Sequence, residues 1–332
     1  LRGVRQALMS SATPHIPARK KWTSRIGLTG YLFAGPWLVG FFLLVAFPMI
    51  ASLLLSFTEW NGISLSQIHW VGLENYTDAL RWDEKGDDLV YTALWNTLVF
   101  SFVSVPLGLT VALLLAVLLN QPLKGIALFR TIFYMPHVIG GIATIMMWLF
   151  VFNPDAGLLN AVIRPFYEML ISFGILAEDA TPPAWIYDSA WSKPSLIIMA
   201  VWGVGGAMLI FLAGLQNVPD QLYEAADIDG AGRFGKFRHV TVPQLTPTIF
   251  FNLVMGIIGS FQVFNEAYVM TEGGPDNSTL FFVLYLYRQA FEQFNLGYAS
   301  ALAWILFVII LAFTMVIIRS SRAWVYYEGD AA

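Results

Sequence analysis

Residues 217–246 read NVPDQLYEAADIDGAGRFGKFRHVTVPQLT, a polar stretch set between two long apolar ones. Its first half has the marks of a short helix. Asn217 is placed to cap it, Pro219 is tolerated in a first turn, and Asp220 complements the positive end of the helix dipole. Leu222, Ala225, Ala226 and Asp229 recur at helical spacing and define one face. Two alanines keep that face nearly flat, so a partner surface can come close. Gly230 and Gly232 end the helix and permit a turn. A second short segment then presents Phe234, Phe237 and Val240 before Pro243 and Pro247 lead into the next apolar run.

The same glycines imitate two nucleotide-binding patterns. Gly230, Gly232 and Gly235 satisfy G-x-G-x-x-G, but that turn must follow a strand and open a helix, whereas a helix precedes it here. Gly230, Gly235 and Lys236 begin a phosphate-binding loop. The Ser or Thr that would hold magnesium is replaced by Phe237, so the metal chemistry is missing.

Working outward, six apolar stretches each supply the roughly 20 residues needed to cross a bilayer core. They run over 28–56, 92–119, 131–152, 195–216, 248–271 and 296–318. Of 332 residues, 57% are hydrophobic and 12% charged, with mean hydropathy +0.65. A soluble domain carries about 25% charged residues. The expectation is an all-α integral membrane protein with six transmembrane helices. The first stretch follows basic residues but is far longer than the apolar core of a secretory signal, and it reads as a retained anchor. Segments 57–91 and 153–194 are expected to carry short helices over the pore mouth. A net charge of −4 without a basic stripe gives nucleic acid no electrostatic footing. The absence of cysteine excludes disulfides, thiolate catalysis and cysteine metal sites.

Cations set the orientation. With the N-terminus inside, the inner segments hold 13 Lys and Arg and the outer ones 5, as the positive-inside rule requires. Acidic residues run the other way, 6 inside and 15 outside, with Glu266 alone within a span. Both termini are expected to be cytoplasmic, as a basic tail over 1–28 and a short tail over 319–332 flanking a membrane domain over 29–318.

The loop resembles the EAA signature of the permease subunits of binding-protein-dependent ABC importers for sugars, the maltose and glycerol-phosphate type of carbohydrate branch. That signature is Glu-Ala-Ala, three residues, Gly, nine residues, then two aliphatic residues one apart and Pro. Here it stands as Glu224-Ala225-Ala226, Gly230, Val240, Val242 and Pro243. Other stretches are similar to the same family: WVGLENYTDAL at 70–80, Asn96-Thr97, RTIFYMPHVIGGIATIMMWLF at 130–150 with its Arg130, Pro136 and Trp148, and TEGGP at 271–275. The resemblance implies the type I ABC importer permease fold. It also implies a second homologous permease, two ABC ATPase subunits and an extracytoplasmic solute-binding protein, with a carbohydrate moved by alternating access across a bacterial cytoplasmic (inner) membrane. ATP and Mg would be bound by the ATPases, and no cofactor or catalytic residue by this chain. The residues implied to seat against the ATPase are Glu224, Ala225, Ala226, Asp227, Gly230, Phe234, Phe237 and Pro243. For Glu224, a purely helix-stabilising role is the competing reading.

Glu266 is a charge at bilayer depth, which faces protein, water or a ligand. Residues 262, 265, 266 and 269 fall on one helical face, so Gln262, Asn265 and Glu266, with Asn252 and Tyr268, form a candidate substrate path. Amides and carboxylates bind sugar hydroxyls, and the rings of Phe261, Phe264 and Tyr268 could cover apolar sugar faces. The competing reading has Glu266 reach interfacial water or a cation. Trp148 and Trp202 are further pore candidates. His137 is expected to be a lone histidine hydrogen-bonded between helices. No metal-ligand spacing and no nucleophilic triad is present. The alternative function is a self-sufficient secondary transporter or channel with Glu266 as its coupling site, although the repeated halves that such a machine uses are absent.

Overall fold

The computed structural model describes residues 24–81, 88–122 and 124–326. The chain divides into two units, 1–54 and 55–332. The first carries one apolar helix, Ser24–Phe41, which continues through a π turn at Phe42–Ala46 into Phe47–Leu55. Of the expected basic tail, residues 1–23 lie outside the described residues, and the helix has already begun at Ser24.

The second unit is built around the second span, Asp88–Leu119, a continuous helix of 32 residues. It packs against the two halves of the fourth span, Ser189–Trp202 and Gly205–Gln216, and against the first part of the fifth, Thr246–Phe261. Its sequence explains why so many neighbours fit. Ala93, Thr97, Ser101, Ser104, Gly108, Ala112 and Ala116 recur every three or four residues, and all are buried. In lipid the association of helices gains little from apolar transfer, so close approach of small residues has to supply it through dispersion. A Cβ on Gly108 would stand 3.3 Å from Val204, and one on Gly256 would stand 3.0 Å from Val105.

Among the described residues, four apolar helices run long enough to cross a membrane, and two expected spans are bent. The third breaks at Gly140–Gly141 into Ile126–Ile139 and Ile142–Val151, which meet at 104°. The break divides the expected span 131–152 at residues 140–141. Gly141, at φ +75°, holds a backbone conformation that glycine adopts without cost. The fourth bends by 42° at Gly203–Val204. The fifth, Thr246 to Met270, loses helical pairing over 262–264 between Phe261 and Asn265. The sixth is the unbroken Leu296–Ser321.

The segment after the first span forms a two-residue antiparallel pair, Thr58–Glu59 with His69–Trp70, and a short helix at Glu74–Leu80. Asn75 ties it together by donating to the carbonyls of Ser56 and Thr58 at 3.0 and 2.9 Å. The segment is docked on the start of the sixth span, where Gly297 passes too close to the Thr58 carbonyl for any Cβ. The 153–194 segment carries the helix Leu158–Ser172.

The stretch after the fifth span is stapled to the tops of the second and fourth. Asn96 donates to the carbonyls of Asn277 and Leu280 at 2.7 and 3.1 Å, and its Oδ1 accepts from the Lys193 ammonium at 2.9 Å. Thr97 Oγ1 accepts from the Phe282 amide at 2.9 Å, and the Ser192 and Ser278 hydroxyls pair at 2.7 Å. These side chains answer backbone groups of residues 277–282, where the Asn277 carbonyl also takes the Leu280 amide at 3.2 Å.

Ala112→Leu, in the middle of the small-residue stripe, is expected to lower the stability of the detergent-solubilised protein by about 1–3 kcal/mol through overpacking. Leu114→Ile, on the exposed side of the same helix, should leave it near wild type. Thermal unfolding followed by size-exclusion recovery checks the pair.

Candidate functional site

Two regions gather the sequence-selected residues. The first is the polar loop, whose helix runs over Asp220–Ile228. Its N-cap is Pro219 and not Asn217, which instead ends the preceding helix as its C-cap. The expected cap is thus corrected: the chain turns one residue pair later because Pro219, in an extended conformation, cannot continue the incoming helix. At the far end the Ala231 amide bonds the Ala226 carbonyl at 2.9 Å and the Gly230 amide bonds that of Asp227 at 3.0 Å. With Gly230 at φ +73°, these two bonds make a Schellman motif. Arg233–Lys236, the π turn Phe237–Thr241 and Val242–Gln244 then lead to the fifth span at Thr246.

The loop is braced from within. Lys236 Nζ lies 2.5 Å from Asp227 Oδ1, and the Tyr223 and Thr241 hydroxyls pair at 3.1 Å. Asp227 therefore links the helix to the segment behind it. Glu224 and Ala225 are exposed, while Ala226 is half-buried. Phe234 is 74% exposed, whereas Phe237, Val240 and Pro243 are half-buried, so only the first of the aromatic pair is fully presented. Sequence reasoning missed Ile228, which is 88% exposed. The signal was an aliphatic residue three positions after Ala225, which extends the flat face toward the turn. Ile228 and Phe234 thus stand bare on a polar loop.

The second region is a pair of cavities beside the second span. One, of about 550 Å³, is walled by Ser104, Asn252, Ser260, Gln262, Asn265 and Glu266 among others. The other, of about 230 Å³, is walled by His137, Thr144, Trp202 and again Glu266. All three helix breaks open here: Gly140, Gly141 and Gly203 line the smaller cavity, and Val204, Gln262, Val263 and Phe264 the larger. Irregular backbone at membrane depth is tolerated where it lines a wet cavity, because water can pair the freed groups. The break at 262–264 also corrects the sequence reading, since residues 262 and 265 do not share one continuous helix; both still reach the larger cavity.

Glu266 is half-buried, and among the described residues no cation pairs with its carboxylate. Asn252 is spent on its own helix, donating to the Thr248 carbonyl at 3.0 Å. Among the described residues no hydrogen bond holds His137 between helices, contrary to the expectation. It is exposed to the smaller cavity, and Gly206 makes room for it, since a Cβ there would meet the imidazole at 2.8 Å. The buried Thr144 hydroxyl on the same wall has no hydrogen-bond partner among the described residues. Trp148 lies in the core, 4.8 Å from Phe152 and edge-on to Trp202 at 5.7 Å, and it lines neither cavity. Tyr268 stands outside both cavities, stacked on Phe264 at 5.2 Å. A hydrogen bond with Tyr268, reinforced by that residue's charge when ionised, holds the Tyr287 phenol above its ordinary pKa.

Residues 104–323 match the protein family described as binding-protein-dependent transport system inner membrane component. The chain is 41% identical over 305 residues to the probable ABC transporter permease protein YesP of Bacillus subtilis, covering 91% of this chain and 93% of that protein. It is 34% identical over 304 residues to the arabinooligosaccharides transport system permease protein AraP of Bacillus subtilis, covering 90% of each. In fold it resembles a chain of a bacterial alginate ABC transporter solved in complex with a pentasaccharide-bound periplasmic protein. The TM-score is 0.73 at 21% identity, over 90% of this chain and 96% of that one.

Gly230→Val would force a β-branched residue into the left-handed region and is expected to loosen the loop by about 1–2 kcal/mol. Hydrogen exchange should accelerate over 220–236, while the amides of the second span keep wild-type protection.

Proposed function

The chain belongs to the family of binding-protein-dependent transport system inner membrane components, and from that membership we propose that it is a permease subunit of an ATP-driven saccharide importer. The observation that carries this reading is the bare, flat face of the loop helix on a rigid Schellman-capped turn that runs directly into the fifth span. Glu224, Ala225, Ile228 and Phe234 offer a partner both shape and apolar area. In this reading the partner is one of two ABC ATPase subunits, which hold ATP and Mg, and closure of the pair pushes on the loop. Asp227, Gly230 and Pro243 fix the loop's shape, and Glu224 meets the partner's surface.

Because the loop is continuous with Thr246–Phe261, displacement at Glu224 reaches the cavity walls through Asn252, Gln262, Asn265 and Glu266. The solute path lies along those walls and those of a second, homologous permease. Hydroxyl-binding amides and a carboxylate beside aromatic rings suit a saccharide delivered by an extracytoplasmic solute-binding protein. The printed name of AraP and the binding-protein complex of the alginate transporter support that choice. The charge bias between loops supports both termini being cytoplasmic in a bacterial inner membrane. The alternative of a self-sufficient transporter coupled through Glu266 has no support among the relatives, which are ABC permease proteins.

The test is ATP hydrolysis by the complex solubilised gently from membranes. A second permease and an ATPase should copurify with this chain, and saccharide-loaded binding protein should stimulate hydrolysis. Glu224→Arg should lower that stimulation at least tenfold while leaving the chain folded. Wild-type stimulation in the variant would remove Glu224 from the coupling contact.

A further inference from the structure

The fifth span breaks at Phe264, and from that point four aromatic rings touch in series. Phe264 stacks on Tyr268 with centroids 5.2 Å apart and planes at 14°. Tyr287 lies 5.0 Å from Phe264 and 5.2 Å from Tyr268. Phe291 lies 5.0 Å from Tyr287. The first ring walls the larger cavity, and the last belongs to the segment joining the fifth and sixth spans. Exposure is uneven along the series and greatest at its far end: Phe264 and Tyr287 are half-buried, Tyr268 is 39% exposed and Phe291 61%.

Three residues further along the chain, Phe294 walls another cavity of about 550 Å³ together with Trp60, Asn61, Gln67, Glu74 and Asn295. This outer pocket is preformed. Asn61 donates to Gln67 Oε1 at 2.7 Å, the Trp60 indole donates to the Ser64 carbonyl at 3.0 Å, and the Gly297 amide bonds the Trp60 carbonyl at 3.2 Å. Its lining therefore combines ring faces with amides and carboxylates, the same mixture found around Glu266.

We propose that the rings of Phe264, Tyr268, Tyr287 and Phe291 form a track for an extended saccharide, leading between the outer pocket beside Trp60 and the membrane cavity beside Glu266. This rests on the saccharide-importer reading above. Sugar rings carry apolar C–H faces and polar edges, and a run of aromatic faces bounded by hydroxyl-binding groups at each end matches both. Closely spaced rings allow a chain to advance by exchanging one face for the next, so no single step strips the ligand of all its contacts. Two of the four rings carry phenol groups, and the track begins at a wall shared with Gln262, Asn265 and Glu266. The ligand class that gains from four successive rings is a saccharide of two or more units; a monosaccharide or small polyol occupies one ring at a time.

The test uses the whole complex, with both permeases, its ATPases and its binding protein, in ATP-loaded proteoliposomes. The probes are matched mono-, di- and tetrasaccharides of glucose, arabinose, galactose and N-acetylglucosamine. Tyr287→Ala and Phe291→Ala should each raise the KM for the longer transported sugar about three- to tenfold. The effect on its monosaccharide should be smaller, and kcat should be unchanged. Tyr287→Phe and Phe291→Tyr should restore the wild-type KM. Wild-type KM at every length in the alanine variants overturns the track while leaving the importer reading intact. Loss of the second permease on copurification overturns it too, because the face is then an interface between permeases. If the wild-type complex moves none of these sugars, the saccharide reading itself fails and the track falls with it.

Discussion

Close approach along the second span is the constraint on which the rest of the molecule depends. A helix in hydrocarbon gains little by moving from lipid to protein, so attraction must come from many short contacts. The stripe from Ala93 to Ala116 supplies them by removing side-chain bulk on one side, letting the fourth and fifth spans lie against the same helix. Where the stripe turns polar at its upper end, Asn96 and Thr97 hold the chain between the fifth and sixth spans by side-chain hydrogen bonds. The scaffold is therefore rigid at its centre and braced at one end.

That rigidity allows irregularity elsewhere. Three spans break where they face a cavity, and the freed peptide groups become part of its wall. Glu266 sits where the two cavities share residues, without a cation beside it among the described residues. The cost of a carboxylate at that depth is tolerable only because the cavity keeps it near water or a hydroxylated ligand. Residues 229–245 join the loop helix to the fifth span and so to this wall, and in the proposed reading partner contact at one end and solute at the other act on that one stretch of chain.

Much of this was legible from residues alone. Apolar length gave the spans, because lipid imposes a minimum run of side chains. Gly230 gave the end of the loop helix, because few residues other than glycine are at ease in the left-handed conformation that closes a Schellman motif. The breaks were not legible. Gly140–Gly141 and Gly203 look like ordinary packing glycines until neighbours decide which one bends the chain, and nothing in the string FQVF at 261–264 announces a lost turn. Trp148 was a pore candidate by type alone, yet helix rotation put it in the core against Phe152. His137 was read as a histidine hydrogen-bonded between helices and Ser260 went unassigned, because their place in the cavities depends on how separate spans meet. Ile228 escaped because its face was read as ending at Asp229.

The central claim is that the loop helix transmits force from an ATPase. The chain has no native cysteine, so Ala225→Cys gives it a single thiol at the flat face. Oxidative crosslinking of that variant to single-cysteine ATPase partners, with ATP-driven uptake measured before and after reduction, tests the claim most directly. The account predicts a crosslink to one cleft of the ATPase, uptake abolished while it persists and restored by reductant. Uptake that continues with the loop crosslinked, or a working complex in which no ATPase position can be linked to it, would contradict the account.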